Sequence, residues 1–172
     1  TFQPAEGLRP TGDRIRETAF NWLTAQIDGA RCIDVFAGSG ALAFEALSRG
    51  AAQCTALEQQ GGAIKQLRET AASLQAENLD IIQADSLNYL QQSPPQEPYN
   101  LAFVDPPFAA GMLNKACAFL NNSGWLAPDA MIYCEMASAD NSFIPPENWQ
   151  MLRDKVSGEV RYCLYSRIEP KA

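Results

Sequence analysis

Leu101-Ala102-Phe103-Val104-Asp105-Pro106-Pro107-Phe108 sets four apolar residues before an acid, two prolines and an aromatic ring. The apolar run has the composition of a buried strand closed by turn residues, so Asp105 stands at a strand's carboxyl end. Three earlier runs finish on the same note. Arg31-Cys32-Ile33-Asp34-Val35-Phe36 breaks at Gly38-Ser39-Gly40, residues 53–57 run into Glu58, and residues 79–83 run into Ala84-Asp85-Ser86. Between these strands lie stretches of helical spacing at 41–48, 61–76 and 86–92, with another at 111–121 after the prolines. In the second of these, Ile64, Leu67 and Leu74 are expected to face inward. Strand and helix therefore alternate, and alternation of this kind builds an α/β fold around a doubly wound, mostly parallel sheet.

The flanks complete the pattern. Thr11 can cap a helix reaching to about Ile27, with Ile15, Ala19, Trp22, Leu23 and Ile27 at helical spacing. Residues 130–136 read as a fifth strand and 137–148 as a polar loop. Residues 149–156 and 160–168 form two further runs around Ser157-Gly158-Glu159, an antiparallel hairpin that brings the sheet to seven strands. No composition break divides the 172 residues, so one domain is expected: an N-terminal motif and helix over 1–29, then a core over 30–172.

Composition narrows the chemistry. There is no histidine, which removes imidazole catalysis and histidine metal sites, and no metal is expected. The five cysteines (Cys32, Cys54, Cys117, Cys134 and Cys163) include no C-x-x-C pair and fall in apolar runs, where they read as small buried hydrophobes in a reducing compartment. No apolar run reaches the roughly 18 residues that span a bilayer, and no secretory leader is visible. A cytoplasmic monomer without membrane contact is expected. Net charge is −7, which is unlike a nucleic-acid binder, but it is unevenly spread. Residues 50–149 hold three Lys/Arg against eleven Asp/Glu, whereas Arg9, Arg14 and Arg16 cluster near the start. Any phosphate contact is expected from the chain's two ends.

The carboxyl edge of an open α/β sheet is where ligands bind. There the Asp105 carboxylate and the Pro106 carbonyl are acceptors suited to an NH2 group, and Phe108 offers a face for stacking. The same residues would also make a rigid turn with Asp105 capping a helix. Gly38 and Gly40 let backbone approach a ligand ahead of a helix N-terminus, though the third glycine of the dinucleotide fingerprint is missing. Glu58, eighteen residues after Gly40, is placed to accept from both hydroxyls of a ribose; an ordinary surface glutamate is the other reading. Asp85 can take an adenine amino group or cap the following helix.

Four acid-bearing strand ends on one edge resemble a class I S-adenosylmethionine-dependent methyltransferase with its Rossmann-like fold. The match narrows through Arg9-Pro10-Thr11-x-Asp13-Arg14-x-Arg16-Glu17, Phe20-Asn21-Trp22-Leu23, Asp34-x-Phe36-Ala37-Gly38-Ser39-Gly40-Ala41-Leu42 and Glu45 to Ala51, with Val104 to Phe108 and Gly124-Trp125-Leu126. Together these resemble the bacterial small-subunit rRNA guanine-N2 methyltransferases over about residues 8 to 136. The resemblance implies S-adenosyl-L-methionine as cofactor, with Gly38, Ser39 and Gly40 cradling its methionine part, Asp34 near its ammonium, and Phe36 and Asp105 close by. It further implies Glu58 on the ribose and Asp85 on the adenine. Arg9, Thr11, Arg14 and Arg16 would close over the site and touch RNA. Asp105, Pro106, Pro107 and Phe108 would hold the guanine of small-subunit ribosomal RNA, free or within the assembled particle. The family carries a basic Gly/Arg stretch ahead of the Arg9 motif that residues 1–8 do not show, and Gln59-Gln60-Gly61-Gly62 departs from its usual ribose-side loop. Two other functions fit the same residues: methyl transfer to another exocyclic or amide nitrogen (adenine or protein), and a non-catalytic RNA-binding assembly factor.

Overall fold

A computed structural model describes residues 10–107, 111–122 and 124–168. In chain order the elements are α1 (Pro10–Trp22), β1 (Arg31–Asp34), α2 (Ala41–Ser48), β2 (Gln53–Glu58), α3 (Gly61–Leu74) and β3 (Leu79–Gln83). Then follow α4 (Ser86–Tyr89), β4 (Tyr99–Val104), α5 (Met112–Leu120), β5 (Leu126–Ala137), β6 (Trp149–Ser157) and β7 (Val160–Arg167). The strands form one seven-stranded sheet in the order β3-β2-β1-β4-β5-β7-β6. Strands β1 to β5 pair in parallel, and β7 runs antiparallel between β5 and β6.

The central strands are apolar on both faces because both faces are covered. Successive side chains alternate across the sheet. Thus Cys32, Leu101 and Phe103 pack on one side with Ile15, Phe20, Ile64 and Leu67 of α1 and α3 and with Leu23 in the turn after α1. Ile33, Ala102 and Val104 pack on the other with Leu113 and Leu120 of α5 and with Leu90 and Trp125. All five cysteines are buried and unpaired, as expected of small core hydrophobes.

Three details differ from the sequence reading. Helix α1 begins at Pro10, so Thr11 lies inside its first turn rather than at its cap, and it stops at Trp22. Beyond that point the Thr24 hydroxyl donates to the carbonyls of Phe20 (3.2 Å) and Asn21 (3.0 Å), as such side chains do in competition with a regular helix. Irregular turns still bury Leu23 and Ile27. Leu74, expected to face inward, is 60% exposed, because α3 ends there and Gln75 turns left-handed. The β5 strand starts earlier than expected, at Leu126, where Tyr99 is its partner across a register irregularity.

Candidate active site

The crossovers of the sheet diverge between β1 and β4. From β1 the chain winds outward through β2 to β3, then returns by α4 to place β4 on the other side of β1. Helices on opposite faces leave a crevice at this reversal, outside the carboxyl ends of the strands. A cavity of about 700 Å³ opens there. Its walls come from the segments after β1 (Phe36, Gly38, Ser39), β2 (Glu58) and β3 (Asp85), from Asp105, Pro106 and Pro107 after β4, and from Glu135 of β5. Gly12 and Ile15 of α1 complete it from the N-terminal side.

The turn after β1 is built around Glu58. Gly38 N–H donates to Glu58 Oε1 at 3.0 Å, and Gln60 N–H donates to Oε2 at 2.7 Å, so this carboxylate fixes two loops at once. Each oxygen keeps a further lone pair for a hydroxyl donor. Gly38 has φ +55, and a Cβ added there would meet nothing within 4 Å, so it leaves open space for a ligand. Gly40 serves differently. Its φ is +84, and a Cβ would lie 2.5 Å from Leu67 Cδ2 and 2.7 Å from Phe44 Cε2. It is the close-packing residue that starts α2, outside the cavity wall. Asp85 does cap α4, accepting the Asn88 N–H at 3.0 Å, while its residue also faces the cavity. Ser86, beside it, is buried and donates to the Val35 carbonyl, tying the ends of β1 and β3 together.

Three acids interact at this cavity: Asp105 and Glu135 in its wall and the buried Asp34. Asp34 is 1% exposed, and neither carboxylate oxygen has a hydrogen-bond partner among the described residues. Burial pushes its carboxyl up to about 7; the Ala43 N–H in α2 opposes this without closing a hydrogen bond, and the charges of Glu135 and Glu58 add to it. Asp105 is raised by burial first, then by Glu135 and Asp34. Glu135 is also raised by burial, while the Tyr133 hydroxyl, donating to Oε2 at 2.8 Å, holds its ionised form. Asp105 and Glu135 each follow one member of the Val104–Cys134 register pair, so Asp105, just past β4, stands beside Glu135 within β5. A cluster of acids, one buried and two half-buried, without a cation is costly unless a ligand brings positive charge or donors.

The structure thus brings Phe36, Gly38, Ser39, Glu58, Asp85, Asp105, Pro106 and Pro107 to one cavity, with Asp34 buried within electrostatic reach of its Glu58 and Glu135. Arg9 and Phe108 lie outside the described residues. Arg14 is exposed and Arg16 turns away, pairing with Asp13 at 3.0 Å and Glu45 at 3.6 Å. Glu135 was missed by the sequence reading, as was Asn114. The latter clamps the loop after β5 by donating to the Ser142 carbonyl (3.0 Å) and accepting from the Ile144 N–H (2.9 Å). The residues present suit S-adenosylmethionine: Asp34 oxygens without a hydrogen-bond partner that cationic charge could satisfy, open space at Gly38, and acceptors at Glu58 and Asp85. Among the described residues no cluster of side chains could hold a metal ion, and no helix is long and apolar enough to cross a membrane.

Comparison with known proteins identifies the chain's relatives. Residues 1–166 match the family described as conserved hypothetical protein 95. The chain is 45% identical over 161 residues to ribosomal RNA small subunit methyltransferase D of Escherichia coli K12, covering 94% of this chain and 80% of that one. It is 44% identical over 163 residues to the protein of that name in Haemophilus influenzae, covering 94% and 84%. A solved structure described as a putative methyltransferase of E. coli superposes with a TM-score of 0.90 at 43% identity, over 98% of this chain and 92% of that one. The chain belongs to the conserved hypothetical protein 95 family, and within it to the D-type small-subunit ribosomal RNA methyltransferases.

Proposed function

We propose that the protein transfers the methyl group of S-adenosylmethionine to the exocyclic N2 amino group of a guanine in small-subunit ribosomal RNA, free or within the particle. The observation that carries this reading is that Asp105, Pro106 and Pro107, at the end of β4, share one cavity with Gly38, Glu58 and Asp85. A ribosomal RNA substrate is supported by the names of the relatives, and guanine N2 by the motif resemblance from Arg9 to Phe108.

The cofactor supplies a sulfonium methyl group that is already electrophilic. The protein's part is alignment and electrostatics. A guanine amino group is a poor nucleophile because its lone pair is delocalised into the ring. The Asp105 carboxylate and the Pro106 carbonyl accept its two hydrogens, favour a tetrahedral nitrogen and stabilise the positive charge that develops there as the carbon–sulfur bond breaks; Asp105 is then placed to take the proton that the methylated nitrogen loses. Glu58 holds a ribose through hydroxyl donors, and Asp34 offsets cationic charge. The base must leave its stack to enter, as for other enzymes that act on base atoms.

Tritium transfer from labelled cofactor to small ribosomal particles and to their free RNA, followed by mapping of the product base, tests this. The Asp105→Ala variant is expected to lose transfer by at least about 100-fold while binding cofactor within a few-fold of wild type by calorimetry. Collapse of cofactor binding in that variant would make Asp105 structural and overturn the mechanism. Label on a base other than guanine would overturn the assigned target.

A further inference from the structure

Beside the cofactor cavity lies a second one of about 340 Å³, bounded by Pro106, Pro107, Leu113, Asn114, Glu135 and Phe143. Pro106, Pro107 and Glu135 line both, so they form the wall the two chambers share. Glu135 is therefore the one charged residue that borders both chambers among the described residues. Its carboxylate is oriented from within: the buried Tyr133 hydroxyl donates to Oε2 at 2.8 Å, and Oε1 has no donor among the described residues. The neighbouring Asp105 carboxylate has no donor or cation among the described residues either. Two acceptors thus stand next to each other, one just past β4 and one within β5, facing the same space.

Bases that carry an exocyclic amino group differ in what lies next to it. Guanine shows two neighbouring donors, N1–H and the N2 amino group. Adenine and cytosine show an amino group beside a ring nitrogen that is an acceptor. An ionised pair of carboxylates complements the first edge, whose two donors hold it in that form, and repels the second, because it leaves acceptors face to face. We infer that Glu135 is a specificity-determining residue that accepts the N1–H of the target guanine while Asp105 and Pro106 hold its N2 amino group. This rests on the guanine-N2 reading above and extends it from the reacting atom to the atom beside it. The Tyr133 hydroxyl sets the orientation of the acceptor, and Asn114 keeps the far wall in place through the Ser142 and Ile144 backbone.

The probe is 2-aminopurine, which keeps the 2-amino group but has an acceptor at N1. Small ribosomal subunits are reconstituted with RNA carrying guanine or 2-aminopurine at the position that the wild-type protein methylates, and kcat/KM is measured for each. Wild type is expected to prefer guanine by about 10- to 100-fold. In Glu135→Gln the amide oxygen can keep the Tyr133 hydroxyl bond while its NH2 faces the chamber as a donor. That variant is expected to lose activity on guanine and gain on 2-aminopurine, closing or reversing the preference. Its melting temperature reports whether it folds. If it does not, Glu135→Asp carries the test: the carboxylate is drawn back by one methylene, so kcat/KM falls while the preference for guanine keeps its sign. Equal use of the two bases by wild type, or an unchanged ratio in Glu135→Gln, overturns the inference but leaves the functional reading standing. A wild-type protein that modified no guanine would overturn that reading, and the inference with it.

Discussion

At the scale of single residues, Asp34 is the most consequential acid. The folded protein holds its proton up to about pH 7, whereas the unfolded chain releases it near 3.8. Folding therefore takes up a proton across that window, and stability falls as pH rises through it, by on the order of 4 kcal/mol in the limit of full burial. Asp34→Asn should remove this slope: melting temperatures match wild type near pH 4 and exceed it at pH 8. Wild type should also bind cofactor more tightly as pH rises toward 7, releasing a proton that calorimetry in buffers of different ionisation enthalpy can count, and the variant should not. A proton count of zero at pH 6 would exclude Asp34 as partner of the cofactor's cationic end. The acids that the sequence disclosed (Asp34, Glu58, Asp85 and Asp105) all sit within four residues of a turn signal, a glycine, proline or helix start. Glu135 has no such marker. The apolar run continues past it through Met136 and Ala137, so nothing local distinguishes it from a solvent-facing strand residue; only pairing with β4 shows that it shares a wall with Asp105.

At the scale of elements, the turn from β1 to α2 uses its two glycines for different ends. Gly40→Ala must force a side chain into Leu67 and Phe44 at a left-handed backbone, an overpacking expected to cost about 1–3 kcal/mol by denaturant unfolding. Gly38→Ala meets open space and costs only the left-handed backbone, about 1–2 kcal/mol. Its methyl group, however, enters the cofactor chamber. The expected order is thus reversed between assays: Gly40→Ala is the worse for stability, Gly38→Ala the worse for cofactor affinity. Equal loss in both assays would count against separate roles. Most elements were legible because parallel strands buried on both faces read as continuous apolar runs. The end of α1 was not, because Leu23 and Ile27 keep helical spacing through turns that are not helix. Leu74 misled for the opposite reason: it keeps the helical period of Ile64 and Leu67, but the sheet beneath has already been left behind.

At the scale of the whole molecule, an acidic body must meet a polyanion. Residues 50–149 carry eight more acids than bases, so productive contact depends on where the few cations stand. Arg16 is already neutralised by Asp13 and Glu45, whereas Arg14, exposed and without an ion pair among the described residues, is free to meet phosphate. Arg14→Ala should weaken RNA binding and lower the slope of log affinity against log salt by about 1; Arg16→Ala should change that slope less and stability more. The run of strands in the sequence could not disclose the sheet order, since either strand of the closing hairpin could have docked against β5. It is the later one that does. Chain order and spatial order part company here, with a kinetic outcome. Until residues 160–167 have left the ribosome, β5 is an open edge, and Glu135 lacks the Tyr162 opposite it. The nascent chain can lay down five parallel strands in the order it is made, but the wall that reads the base is finished from behind, by a strand made after its own outer neighbour.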